Sequence, residues 1–147
     1  MRETKRKTVG MRTSGSKSND LPEQIKKAAK GLYYISETDA EITPFIGAKA
    51  KTVSKEEILR QTKNSSDAPI EERDFSEIFQ RLTKIQDWYG EEEIAAANKF
   101  AALKQLLENN LKDLKVYKIG NIQIDIYFVG LAPESVLMGI KTQSVET

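Results

Sequence analysis

KVYKIGNIQIDIYFVG, residues 115–130, is dense in β-branched and aromatic residues and is interrupted once, at Gly120-Asn121. That composition predicts a β-hairpin, because glycine and asparagine supply the left-handed backbone a two-residue turn needs. A two-residue loop pairs Ile119 with Ile122 and Tyr117 with Ile124. Ile126 and Phe128 continue the same parity, which gives one apolar face. Lys118 opposite Gln123 and Val116 opposite Asp125 form the mixed face.

The neighbours of the hairpin extend this pattern in both directions. GLAPES at 130–135 reads as a turn, and VLMGIKTQSVE at 136–146 as a returning third strand. Upstream, EEEIAAANKFAALKQLLENNL at 91–111 carries Ile94, Ala97, Phe100, Leu103, Leu107 and Leu111 at steps of three and four. That spacing predicts the longest helix, with Glu91, Glu92 and Glu93 in its first turn where negative charge suits the dipole. Ser54 with Glu57, and Asp74 with Glu77, are capping signatures that open two shorter helices, SKEEILRQT and DFSEIFQRL, with KNSSDAP as the loop between them. DLPEQIKKAAKG predicts a first helix, with Asp20 as cap, Pro22 in the first turn and Gly31 as the stop. LYYIS at 32–36 is a short strand, PFIGAKA pairs back onto it, and ETDAEIT connects them. Four helices and about five mostly antiparallel strands make an α+β domain.

Composition restricts the chemistry. The chain has 147 residues, 39% hydrophobic and 31% charged, with neither cysteine nor histidine. Disulfides, thiolate nucleophiles, Ser-His-Asp chemistry and histidine- or cysteine-ligated metals are excluded, whereas carboxylate chemistry and hard-ion binding stay open. No apolar run approaches the ~18 residues of a spanning helix, and the basic start is followed by no apolar stretch, so a cytoplasmic protein is expected. The net charge of +1 hides an asymmetry. Residues 1–20 hold six basic and two acidic residues, and residues 21–147 hold 17 basic and 20 acidic ones. Residues 1–20 are expected to be a disordered basic leader and residues 21–147 the folded domain.

Four features bear on function. Glu91, Glu92 and Glu93 suit either a helix start or a divalent ion. Glu37, Asp39 and Glu41 suit either paired catalytic carboxylates or a solvated acidic loop. Trp88, in QDWYGEEE at 86–93, is either a core residue or an interface anchor at a junction between helices. At the end, the Glu146 side chain and Thr147 are hard oxygen donors of the class magnesium prefers.

These stretches together resemble the nuclease A inhibitor family, proteins that block sugar-non-specific endonucleases of the ββα-metal type. The resemblance runs from about residue 22 to 147 and is densest in QDWYGEEE, NKFAALKQLLENNLKD, KVYKIGNIQIDIYFVG and GIKTQSVET, with support from GLYYISE. It implies an α/β/α sandwich around a mainly antiparallel sheet, like that of plant pathogenesis-related proteins. It also implies a monomeric inhibitor with no catalytic residues and no cofactor of its own. In that scheme Glu37 mimics the scissile phosphate, with Glu41 as the alternative because ETDAEITPF departs from the family's loop. Asp87 and Trp88 make a second contact, with Glu91 nearby. Thr147 completes the shell of a magnesium ion supplied by the nuclease, with Glu146 beside it. Two other readings compete: a nucleic-acid-binding adaptor acting weakly through the basic leader, and a carboxylate-based hydrolase.

Overall fold

The computed structural model of the chain describes residues 16–146. The elements run α1 (Ser16–Ala29), β1 (Tyr33–Ile35), β2 (Asp39–Glu41), β3 (Thr43–Lys49), α2 (Lys55–Gln61), β4 (Ile70–Asp74), α3 (Phe75–Thr83), α4 (Glu91–Asn110), β5 (Lys112–Ile119), β6 (Gln123–Ala132) and β7 (Val136–Val145). A short 3-10 turn, Pro133–Ser135, joins β6 to β7. Five strands form one antiparallel sheet in the order β3-β7-β6-β5-β4, and β1 and β2 form a separate hairpin.

The sheet is covered on both faces. Leu21 and Ile25 of α1, Phe75, Ile78 and Phe79 of α3, and Phe100, Leu103 and Leu107 of α4 pack on one face against Val116, Ile126, Phe128 and Ile140. Ile58 and Leu59 of α2 pack on the other, against Tyr117, Ile119, Tyr127, Val129 and Leu137. The molecule is therefore an α+β protein in three layers, with three helices on one side of the sheet and one on the other.

This two-sided burial overturns the expected hairpin register. Ile119 pairs with Asp125, Lys118 with Ile126 and Tyr117 with Tyr127. The loop is longer than two residues, and the pairing is displaced by three positions. An odd displacement exchanges faces, so Tyr117 and Ile119 lie with Tyr127 and Val129 under α2, not with Ile124, Ile126 and Phe128. Because each face meets helices, both are apolar, and alternation cannot distinguish the two registers. Gly120 holds the longer loop at φ 118°, where a Cβ would run into the Gln123 carbonyl oxygen.

Three further expectations change. β1 pairs with β2, inside the supposed connection, and β3 pairs with β7 instead. Ile70–Asp74, unassigned in the sequence, is an edge strand on β5, where the Tyr117 hydroxyl donates to Glu72 Oε1 at 3.0 Å. Helix α1 starts at Ser16 rather than after Asp20, so Pro22 lies inside it and its first five residues, 16–20, fall in the stretch expected to be leader. The rest of that leader, residues 1–15, lies outside the described residues.

The caps expected at Ser54 and Asp74 are present. Ser54 Oγ accepts from the Glu57 amide at 3.1 Å and Asp74 Oδ2 from the Glu77 amide at 2.9 Å. Gly90 caps α4, with its own amide donating to Glu93 Oε1 at 2.9 Å. That bond gives one of the three consecutive glutamates a local structural role.

Candidate functional site

The topology sends several loops to one end of the sheet. β7 finishes at Val145 opposite Gln123, so its end lies beside the β5–β6 loop. The Glu146 amide donates to the Ile122 carbonyl at 2.9 Å. β4 begins at the same end, opposite Ile119. Helix α3 follows β4 directly, and α4 leads into β5. The α3–α4 junction, residues 84–90, lies across a groove from β1.

The β1–β2 hairpin joins this end through hydroxyl groups. Its turn, residues 36–38, is closed by the Ser36 amide donating to the Thr38 carbonyl at 3.0 Å. Ser36 Oγ also accepts from the Val145 amide at 3.1 Å, across 109 positions of sequence. Thr142 Oγ1 donates to the carbonyls of Glu41 at 3.1 Å and Ala40 at 3.3 Å. Thr142 and Ser144 are the two buried polar residues among those described. Both lie on β7, and both serve this end of the molecule. A buried hydroxyl is costly without a partner, so each one specifies an arrangement rather than merely filling space.

Glu37 is exposed at the tip of this hairpin. Glu41 lies at the foot of the same hairpin, opposite Tyr33. It lines a polar trough of about 450 Å³ with Asp39, Asp125, Tyr127 and Lys141, and Tyr127 belongs to the α2 face. The two acids that sequence left as alternatives therefore have different surroundings.

Glu146 is engaged. Lys118 Nζ and Ser144 Oγ both donate to its Oε2, each at 2.9 Å, and Oε1 receives neither bond. The Lys118 bond, then the Ser144 bond, hold its carboxyl below the usual carboxylate range. This bracket fastens the last described residues to β5. Thr147 lies outside the described residues.

Trp88 is 74% exposed in the α3–α4 junction, which rules out a core role. Its ring meets Tyr89 edge-on, centroids 4.7 Å apart. Asp87 and Glu91 beside it are also exposed. Between this junction and β1 runs a groove of about 440 Å³. Tyr33 and Ile35 line it from the hairpin, Trp88 and Tyr89 from the junction, over Leu32 and Phe100. Trp88 is thereby connected through β1 to the hairpin that carries Glu37.

Sequence reasoning overlooked Tyr33 and Ile35. The signal was available, because alternation along LYYIS with Leu32 inside turns both of them outward. Among the described residues no group of three or more acidic, histidine or cysteine side chains is placed to hold a metal ion. No helix among them is long and apolar enough to cross a membrane.

A search of curated proteins returned no match to the chain. Among protein families, the model described as nuclease A inhibitor-like protein matches residues 19–147, a span holding every described element of this end. The chain belongs to the nuclease A inhibitor-like family.

Proposed function

We propose that this protein inhibits a magnesium-dependent, non-specific DNA/RNA endonuclease by seating the end of its sheet in the nuclease active site. Glu37 takes the place of the scissile phosphate, since a carboxylate accepts a bidentate arginine fork as a phosphate does. Thr147 offers oxygen to the magnesium ion, which the nuclease supplies. Asp87 and Trp88 form the second contact, with Glu91 at its edge. The inhibitor acts by occlusion and needs no catalysis of its own.

The observation that carries this reading is the 3.1 Å bond from the Val145 amide to Ser36 Oγ. It holds the hairpin that carries Glu37 against the end of β7, so two segments far apart in sequence approach a partner as one unit. Pre-organisation of this kind lowers the ordering cost of docking. The acidic body also favours encounter with a cationic nucleic-acid cleft.

The test compares the full chain with Thr147→Val and with a form extended by several residues beyond Thr147, in one nuclease assay. Weaker inhibition by both, with unchanged melting, supports the metal contact. Equal potency of all three removes Thr147 from the mechanism.

A further inference from the structure

We infer that the polar trough between β2 and the β6–β7 pair binds a free α-amino acid with a cationic side chain, of the arginine or lysine type. The inference goes beyond the inhibitor reading and does not rest on it.

Sheet register assembles the trough. Asp125 and Tyr127 are two apart on β6 and share a face, and Gln143 and Lys141 stand directly opposite them on β7. Asp39 and Glu41 line the other side from β2. The Tyr127 hydroxyl is the decisive group. Tyr127 is 9% exposed, lines the trough, and has its ring fixed edge-on against Phe45 with centroids 5.2 Å apart. Among the described residues its hydroxyl has no hydrogen-bond partner. A buried hydroxyl is costly when unsatisfied, so this one calls for an acceptor from outside the protein. Lys141 beside it makes no ion pair with Asp39, Glu41 or Asp125 among the described residues.

The lining makes two opposite demands. Tyr127 and Lys141 both donate, since burial and then the Asp125 charge push the Tyr127 phenol up and keep its proton on at neutral pH. Asp39, Glu41 and Asp125 only accept, and Asp125 Oδ1 already receives Gln143 Nε2 at 3.2 Å. A ligand carboxylate suits the donor pair, and an ammonium next to it suits Asp125. Three acids against one lysine then favour a ligand whose side chain is also cationic, directed at Asp39 and Glu41. A bare metal ion does not fit, because no acidic group of three is placed to hold one among the described residues, and it would offer nothing to Tyr127 or Lys141. A lone amine or guanidinium leaves the same two donors unmet. The volume, about 450 Å³, is in the range of small-molecule sites.

The full chain is titrated by calorimetry with L-arginine and L-lysine, with their decarboxylated forms agmatine and cadaverine, and with L-glutamate, all at one ionic strength. Arginine or lysine is expected to bind saturably and to raise the melting temperature, with the other three weaker by about tenfold or more. Two variants complete the set. Tyr127→Phe removes only a hydroxyl that has no protein partner, so the melt of the unliganded protein should stay in place. Lys141→Gln removes the charge at an exposed position. Each is expected to weaken the bound amino acid by about tenfold or more. Exchange of amides 39–41 should slow on binding, because the ligand bridges β2 to β6 and β7. Binding of neither arginine nor lysine would overturn the inference. Agmatine or cadaverine binding as well as its parent amino acid would also overturn it, by reducing the trough to an acidic surface that attracts any cation. Unchanged affinity in both variants would do the same. Every arm is read without a nuclease, so its result and the fate of the inhibitor reading stay distinguishable.

Discussion

Replacing Thr142 by valine separates stability from docking. The substitution preserves shape and removes one hydroxyl at a residue 5% exposed, whose Oγ1 donates to the Glu41 and Ala40 carbonyls. Ala40 is half-buried and Glu41 exposed, so water can take over at these carbonyls. The folding cost is then that of one ordinary hydrogen bond, about 1 kcal/mol. The docking cost has a different origin. The β1–β2 hairpin keeps its internal pairing but loses a tether to β7, and that freedom must be removed again when a partner binds. Restoring one residue's worth of backbone order costs ~1–2 kcal/mol, a loss of roughly five- to thirtyfold in affinity. Thr142→Ser is the mirror control. It keeps the hydroxyl and loses a buried methyl, so it is expected to lose ~0.8 kcal/mol of stability and retain inhibition. Denaturant melts, hydrogen exchange of amides 33–41 and nuclease inhibition are measured on the same samples. Valine should accelerate exchange in the hairpin and weaken inhibition, and serine should do neither. If both variants lose stability alone and inhibit as before, Thr142 only fills the core and the hairpin is positioned by something else.

Glu37→Gln is expected to cost ~3–5 kcal/mol of binding with the fold intact, as when one partner of a buried ion pair is removed, whereas Glu41→Gln, in its separate trough, should cost little. The reverse ranking would move the phosphate mimic to Glu41. Trp88→Ala should weaken binding by ~2 kcal/mol or more and leave the melt nearly unchanged, because the ring is 74% exposed. A stability loss of ~3–5 kcal/mol would mean that the ring behaves as a core residue. Glu146 has a carboxyl held low by Lys118 and then Ser144, with Arg73 contributing, so its stabilisation is present above the ordinary carboxylate pKa and is lost as pH falls through the lower folded value. Protection of the Glu146 amide, bonded to Ile122, should decline in that acid window for the wild type and be weaker, without that acid-dependent loss, in Glu146→Gln.

Elements governed by local chemistry were legible in the sequence. The caps Ser54 and Asp74 and the stripe Ala97, Phe100, Leu103 and Leu107 depend on neighbours within four residues, and all are present. The β5–β6 register was not legible. Alternation identifies a face only when one side of a strand is polar, and here helices cover both. β4 was hidden because IEERD is mostly charged, and its strand conformation comes from pairing with β5 at the sheet edge. For the site, the sequence indicated residue types but not their company. Nothing local relates Ser36 to Val145, or separates the surroundings of Glu37 and Glu41. The outward Trp88 depended on a junction whose burial only the packing of α3 and α4 determines.

The most direct measurement is a titration of the purified full chain into a magnesium-dependent non-specific ββα-metal endonuclease, read by nicking of supercoiled DNA. Nuclease activity should fall linearly and vanish near one equivalent of inhibitor, and the Glu37→Gln protein should need a large excess. Nuclease that stays fully active at many equivalents of correctly folded protein, across the available nucleases of this type, would contradict inhibition as the function of this chain.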